Sequence, residues 1–315
     1  MIKKEQYPKN FQEFLIQFRT EKDCWDYIFD LRWPDGFQCP QCNSSKHWLT
    51  DKELIHCATC GHQSSITGGT IFHGTRKPLL LWFYVMWWVV AQKTGASAYN
   101  LMDFMGLGSY ETAWTWLHKL RRAMVRPERD KLKGEIEVDE TYIGGKEVGK
   151  GKQGRGADTK ILVIVATECI GKQIGRVRFK CIDEASGEQI QGFIEESIEH
   201  GSIVITDGWS GYSFLSESKN YEHKPKIISG SGQEAHELLP HVHMVDSQVK
   251  RWLNGTHQGK VSPKHLPYYL DEFAFRFNRK MSTYRGKLFY RLMQQAVTTS
   301  PVPIKEIVNQ NNELD

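Results

Sequence analysis

The chain has 315 residues, 40% of them hydrophobic and 25% charged, which is enough for two or three globular domains with cores of their own. Its longest apolar run, residues 79 to 91, covers 13 residues where a bilayer span takes roughly 20, and the opening MIKKEQYPKN lacks a secretory signal. A buried helix, no membrane and a cytoplasmic location are therefore expected. The formal net charge of +4 is modest, so its distribution says more than its size. Seven Lys or Arg residues lie between Leu117 and Lys133, among them Lys119, Arg121 and Arg122. Six more, including Arg276 and Arg279, lie among aromatic residues between Phe273 and Arg291, with no acid in between. Solvated helix faces carry such charges routinely. Two clusters flanking an acidic site, however, suit a polyanion, because cations displace phosphate counterions and aromatic rings stack on bases.

Residues 1–30 form a helical segment in which Phe11, Phe14, Leu15 and Phe18 recur at helical spacing. Thr20 with Asp23 can cap a second helix there, and Cys24 is expected to be a small buried hydrophobe. A zinc ribbon is expected over 31–75. Cys39-Pro-Gln-Cys42 and Cys57-Ala-Thr-Cys60-Gly are separated by fourteen residues, and two such pairs give the four thiolates of a tetrahedral structural zinc. A chain without a signal peptide argues against disulfides. With four cysteines present, His47, His56, His62 and His73 are bystanders. Over 76–130 an aromatic helix leads to a short helix, about Ala96 to Met105, and a Gly106-Leu107-Gly108 turn. A longer helix follows, capped by Ser109 and Thr112 and ending in Lys119, Arg121 and Arg122. That is the helix-turn-helix pattern, although a plain helical hairpin would read the same way.

The catalytic domain is placed at 131–295, with a C-terminal tail at 296–315. In EIEVDETYIGG, residues 135–145, the acids Glu135, Glu137 and Asp139 alternate with Ile136 and Val138 at the period of a strand, so carboxylates share one face. An ordinary strand with a solvated acidic face has the same pattern. A second apolar strand stops at Asp207 before a Gly-containing turn, and two carboxylates at strand ends can share a metal ion. The elements then run strand (135–143), Gly/Lys-rich loop (144–160), strands (160–168 and 175–183), helix (186–198), strand, short helix and strand (224–229). This is the order of an α/β ribonuclease H-like domain with a mixed sheet. Gly144 to Lys150 superficially fits a phosphate-binding loop, but Gly151 replaces the required Ser or Thr and no helix follows. In residues 238–257, Val242, Val245, Val249, Trp252 and Leu253 form an apolar helical stripe beside His243, Ser247 and Lys250, with Gly255 as the expected helix end. A further helix is expected from Pro263 to Phe277.

These features together resemble bacterial insertion-sequence DDE transposases of the subgroup with an N-terminal zinc ribbon. The resemblance rests on the ribbon, the helix-turn-helix, VDET, GRG, TDGWSGY and the run from GTHQGKVSPKHL to YLDEFAFRFNRK, and covers roughly residues 30–290. It implies Asp139 and Asp207 as the first two acids of a triad that holds Mg²⁺ or Mn²⁺. The third acid is usually a Glu about 35 residues on, followed after seven residues by a Lys. Here those places hold His243 and Lys250. Imidazole suits Mn²⁺ better than Mg²⁺. Asp246, one turn along, is the alternative third ligand, and Asn254 a weaker one. The implied activity is binding of terminal inverted repeats, cutting of DNA and joining of 3′ ends to target DNA, in a homodimer or larger complex on double-stranded DNA. Two other readings share these motifs: a DNA-binding regulator with an inactive catalytic domain, and a structure-specific nuclease.

Overall fold

The computed structural model describes residues 5–126, 128–144, 160–227, 235–258 and 261–309. The Gly/Lys-rich loop and its GRG motif lie almost wholly outside them. The chain divides into two compact units, residues 1–126 with 281–315, and residues 127–280.

In the first unit, α1 (Phe11–Gln17) is capped by Asn10, and α2 (Glu21–Arg32) by the capping box of Thr20 and Asp23. Phe14, Phe18 and Cys24 are buried, whereas Phe11 and Leu15 from the same stripe are exposed. Strands β1 (His47–Leu49), β2 (Ile55–Cys57) and β3 (Gln63–Ser64) form an antiparallel meander. Next come α3 (Leu79–Ala91), α4 (Ala98–Met105) and α5 (Tyr110–Arg122). Gly106 ends α4 at φ 60°, a left-handed conformation glycine adopts without strain, and Ser109 accepts the Thr112 N–H to start α5. Trp82 of α3 stacks on Trp116 of α5 at 3.7 Å. The N-terminus of α3 has no cap of its own. Glu21 supplies one from α2, accepting the Leu79 and Leu80 N–H groups at 2.8 and 2.9 Å.

The second unit is built on a five-stranded sheet of β4 (Glu135–Ile143), β5 (Ile161–Ile170), β6 (Gln173–Ile182), β7 (Ile203–Thr206) and β8 (Glu222–Pro225). Its order is β6-β5-β4-β7-β8; β4, β5 and β6 are antiparallel, and β7 and β8 continue parallel to β4. With α6 (Gly187–Ser197) crossing from β6 to β7, this is the ribonuclease H-like arrangement. After β7 come a 3₁₀ turn (Ser210–Tyr212) and α7 (Phe214–Glu217); after β8 come α8 (Ala235–Leu238), α9 (Pro240–His257) and α10 (Leu266–Phe277). Both faces of the sheet are covered. Ile136, Val138, Ile164 and Val204 pack with Ile190, Phe193 and Ile194 of α6 on one side. Val163, Val165 and Val177 pack with Val242, Val245 and Val249 of α9 and Leu270 and Phe273 of α10 on the other. This double burial explains why β5 is apolar at successive positions while β4 alternates. At the far edge, the Asn278 side chain bonds both the N–H and the C=O of Val177, as a neighbouring strand would.

Two sequence expectations change. Gly255 lies inside α9, which ends at Gln258 with φ 53°; a glycine within a helix costs about 1 kcal/mol against alanine, too little to stop one packed through Val249 and Leu253. Helix α11 (Arg285–Ala296), expected within the catalytic domain, belongs to the first unit, as does α12 (Ile304–Asn309). The reason is aromatic: Phe289, fully buried, has its ring centroid 5.4 to 5.8 Å from those of Phe14, Phe18, Phe83 and Trp87. Gly286 admits the carbonyl of Pro8 so closely that a Cβ would stand 1.4 Å from it.

Phe289→Ala should destabilise the first unit by about 3–5 kcal/mol. Eight of the ten tryptophans lie in that unit, so denaturant unfolding followed by tryptophan fluorescence reports it. An unchanged midpoint would return α11 to the catalytic domain.

Candidate active site

The cysteine cluster forms from two equivalent turns. Asn43 N–H donates to the Cys39 carbonyl at 2.8 Å and Gly61 N–H to that of Cys57 at 3.0 Å, and Cys39 and Cys57 N–H reach Ser44 and His62 carbonyls at 2.9 Å. Asn43 and Gly61 hold matching left-handed conformations, φ 58° and 73°. The turns bring Cys39, Cys42, Cys57 and Cys60 sulfurs within 4.8 Å of one another, with Cys39–Cys60 and Cys42–Cys57 at 3.6 Å. About that separation follows from four sulfurs at roughly 2.3 Å from one zinc. All seven cysteines are free thiols. The thiols share their protons unevenly: the backbone N–H groups of Cys60 and Thr59 help pull Cys57 down to about 6, whereas, against a Ser44 backbone bond, the Cys60 thiol and burial push Cys42 up to about 12, and Cys60 is raised as well. The donor set fits structural zinc, and none of the four bystander histidines joins it.

The acidic centre follows from the strand register. β4 and β7 are parallel neighbours whose last paired residues are Glu137 and Ile205. Two residues further along each chain stand Asp139, midway along β4, and Asp207, just past the end of β7. Gly208, at φ 79°, turns the chain away, and Asp207 Oδ1 accepts the Trp209 N–H at 2.9 Å. Asp139 is 21% exposed and faces His243 of α9, 26% exposed, with 3.7 Å between Oδ2 and Nε2. That is longer than a hydrogen bond, and close to the spacing of two ligands each about 2.1 Å from one ion. Lys250 also comes from α9, with Nζ 2.7 Å from Thr141 Oγ1 and 2.8 Å from Asp246 Oδ2. Of the expected set, the structure brings Asp139 to His243 and Lys250 to Asp246, with Asp207 at the end of the neighbouring strand. The set's donors stay apart, since the Asp139, Asp207 and His243 ligand atoms do not all fall within 4.8 Å of one another.

The electrostatics suit a cation. Burial first, then the neighbouring Glu140, with Asp207 and Asp246 adding, raises Asp139 to about 7. Burial also raises Glu140, with Asp207 adding, against a hydrogen bond from the buried Tyr212 hydroxyl. Asp246 Oδ1 is buried with no hydrogen-bond partner. Neighbouring carboxylates that raise one another and an orphaned oxygen are what a divalent ion would satisfy, so the chemistry of these donors fits Mg²⁺ or Mn²⁺.

Part of the expected DNA surface is withdrawn. Arg121 is 2% exposed, and its guanidinium donates to the Ala96 carbonyl at 2.8 Å; it ties α5 to the segment before α4. The Arg276 side chain is 13% exposed and paired at 2.7 Å with the buried Glu272 one turn back. Arg279 lies over the Phe275 ring and donates to the Phe275 carbonyl. Lys119 and Arg122 are half-buried. Conversely, Glu140, Tyr212, Thr141 and His241 were not singled out from the sequence, and Glu137 was read only as one of a row of acids. Glu137 and Thr141 share the strand face of Asp139, which was the available signal.

A ribonuclease H-like sheet with aspartates on adjacent parallel strands, preceded in the chain by a four-cysteine ribbon, defines a class of DNA-processing proteins. Residues 131–278 match the ISXO2-like transposase domain, and residues 19–63 the transposase zinc-ribbon domain. The chain is an insertion-sequence transposase of the kind that carries a zinc ribbon. No curated protein matches it significantly. Among solved structures it is similar to the Mos1 pre-cleavage transpososome (13% identity, 69% of this chain and 78% of that one, TM-score 0.29). It is likewise similar to the Mos1 paired-end complex with the left transposon end (12%, 68% and 75%, 0.30) and to the Mos1 strand transfer complex (11%, 69% and 76%, 0.32). At this level of likeness the fold assignment stands on the strand order alone. Among the described residues, no helix is long and apolar enough to cross a membrane.

Metal analysis of purified protein should find one zinc per chain, reduced by Cys57→Ser; a zinc-free folded chain would contradict the ribbon site. Mn²⁺ should raise the thermal midpoint of the wild type and not that of Asp139→Asn, because only a protein that binds the ion in its native state is stabilised by it. An equal shift in both would place the ion elsewhere.

Proposed function

We propose that this transposase binds the terminal inverted repeats of its element, cuts the DNA and joins the 3′ ends to target DNA by direct transesterification. The observation that carries the proposal is the register of β4 on β7, which supports a shared site for Asp139 and Asp207, with His243 3.7 Å from Asp139. Asp139, Asp207 and His243 would hold divalent ions, Mg²⁺ or Mn²⁺. When bound, such ions activate a water or 3′-hydroxyl and stabilise the leaving oxygen. Lys250, held by Thr141 and Asp246 at the site's edge, neutralises a non-bridging phosphate oxygen and orients the strand under attack. Partial burial of Asp139 beneath α9 lowers the local dielectric, which strengthens its hold on a cation.

For DNA, the helix-turn-helix of α4 and α5 supplies the reading element. Tyr110 and Glu111 at the start of α5 are exposed, which suits contacts from the N-terminal part of a recognition helix. Lys119, half-buried at the end of α5, remains as a cation for phosphates; Arg121 and Arg276 serve the fold. Processing two element ends together calls for a homodimer or a larger assembly. The zinc is structural, holding the ribbon.

One observation favours a variant of the catalytic set: Asp246 Oδ1, buried and unpartnered, could complete it in place of His243. Labelled terminal-repeat DNA incubated with protein and Mn²⁺ decides both questions. Joined products are expected from the wild type; cuts alone would indicate a nuclease, and binding alone a regulator. Asp139→Asn and Asp207→Asn should each abolish cutting and joining while leaving DNA binding intact. His243→Ala should lose most activity, His243→Glu should retain it with preference moved towards Mg²⁺, and Asp246→Ala should be mild. A silent His243→Ala beside a dead Asp246→Ala would make the aspartate the third ligand.

A further inference from the structure

Glu137 is 2% exposed in the middle of β4, a costly place for a carboxylate, and both its oxygens are engaged with α9. Oε1 lies 2.8 Å from His241 Nδ1, and Oε2 accepts the Val242 N–H at 2.8 Å. The second contact is a helix cap. α9 begins with Pro240 after Leu239, which offers no side-chain cap, so its first N–H groups lack partners within the helix. A carboxylate there satisfies one of them and meets the positive end of the helix dipole. His241 continues the chain of contacts, its Nε2 lying 3.0 Å from the Gly171 carbonyl in the β5–β6 turn. β4, the β5–β6 hairpin and the start of α9 are thus joined through two side chains.

The same strand face then carries Asp139, opposite His243, and Thr141, bonded to Lys250. A helix held by its apolar stripe alone can slide or rotate at small cost, since Val242, Val245 and Val249 are similar in shape. A bonded first turn fixes both rotation and register.

We propose that Glu137 and His241 are positioning residues: a clamp that caps α9 from the neighbouring strand and thereby sets His243 and Lys250 against Asp139. The proposal rests on the reading of Asp139, Asp207 and His243 as the metal-binding set. Cys169 also approaches, its sulfur, Glu137 and His241 lying within 4.8 Å of one another. The carboxylate and the imidazole already have partners for their polar atoms in that cluster, which favours a clamp over a further metal site.

The test compares Glu137→Ala with Glu137→Gln. Glutamine keeps an oxygen for the Val242 N–H and places the rest of its amide beside His241 Nδ1, so it preserves the cap and the shape of the clamp. In metal-free protein, hydrogen exchange at the Val242 and His243 amides should speed up at least about tenfold in Glu137→Ala and stay near wild type in Glu137→Gln. With saturating terminal-repeat DNA and Mn²⁺, Glu137→Ala should cleave about 10–100-fold more slowly. Its half-saturating Mn²⁺ concentration should rise, its DNA affinity should be unchanged, and Glu137→Gln should recover most of the loss. His241→Ala, which keeps the cap and loses the second strut, should show the same Mn²⁺ shift in smaller degree, and serves if Glu137→Ala does not fold. Unchanged exchange and Mn²⁺ dependence in these variants would overturn the clamp. So would a second zinc equivalent per chain that Cys169→Ala removes, which would make the cluster a metal site. Asp139→Asn run alongside separates the two levels: if it cleaves normally, the active-site reading fails, whereas the exchange result judges the clamp without activity.

Discussion

The structure depends on how one acidic strand is buried. The face of β4 that carries Glu137, Asp139 and Thr141 is covered by α9, whose Val242, Val245 and Val249 share a core with β5 and β6. Covering carboxylates with a helix is unfavourable unless each finds a partner. Glu137 is satisfied by the start of the helix and His241, and Thr141 by Lys250. Between them Asp139 faces a histidine 3.7 Å away, with other carboxylates adding to the burial that raises it. The fold thus satisfies the flanking groups fully and leaves Asp139, beside other carboxylates, without a hydrogen-bonded cation among the described residues. The parallel pairing of β7 with β4 brings Asp207 to the end of the adjacent strand, where its charge adds to the rise of Asp139. Stability and chemistry are divided along a single strand by position.

Both units use the same solution for a helix that cannot cap itself. α3 starts after Pro78 and α9 on Pro240, and neither has a side-chain cap from its own sequence. In each, a glutamate from another element accepts the first free N–H groups: Glu21 for α3 and Glu137 for α9. Such a cap serves the helix and also joins it to its neighbour, so helix formation and docking become one event. For α9 the joined neighbour is β4, the strand that carries Asp139.

Local signals in the sequence were legible in proportion to how local their physics is. The cysteine turns, the Thr20–Asp23 box, Gly106 and Ser109 each act within four or five residues, and the structure forms each one. The alternation of β4 showed which residues share a face, and the order of elements showed the sheet. What covers a face was not legible. The acidic face could equally have been solvated, and only the fold puts α9 over it. Charge misled for the same reason: Arg121 and Arg276 look like DNA contacts until Ala96 and Glu272 are seen to hold them. Likewise α11 is basic and aromatic in sequence, and only the buried Phe289 shows that it belongs with Phe14 and Phe83. His243 and Lys250 were reached by counting from a family spacing, whereas His241, two residues earlier, has its partner 104 positions away in Glu137 and left no local trace.

The central claim is that Asp139, Asp207 and His243 form one metal-binding set positioned by the β4–α9 register. Anomalous diffraction at the manganese edge from crystals of the full chain soaked in Mn²⁺ tests it directly. The account predicts a manganese peak within ligand distance of Asp139, Asp207 and the His243 Nε2, with Glu137 still bonded to the Val242 N–H. A peak bounded by Asp246 with His243 turned away, or one at Glu137, Cys169 and His241 with the acidic centre empty, would contradict it.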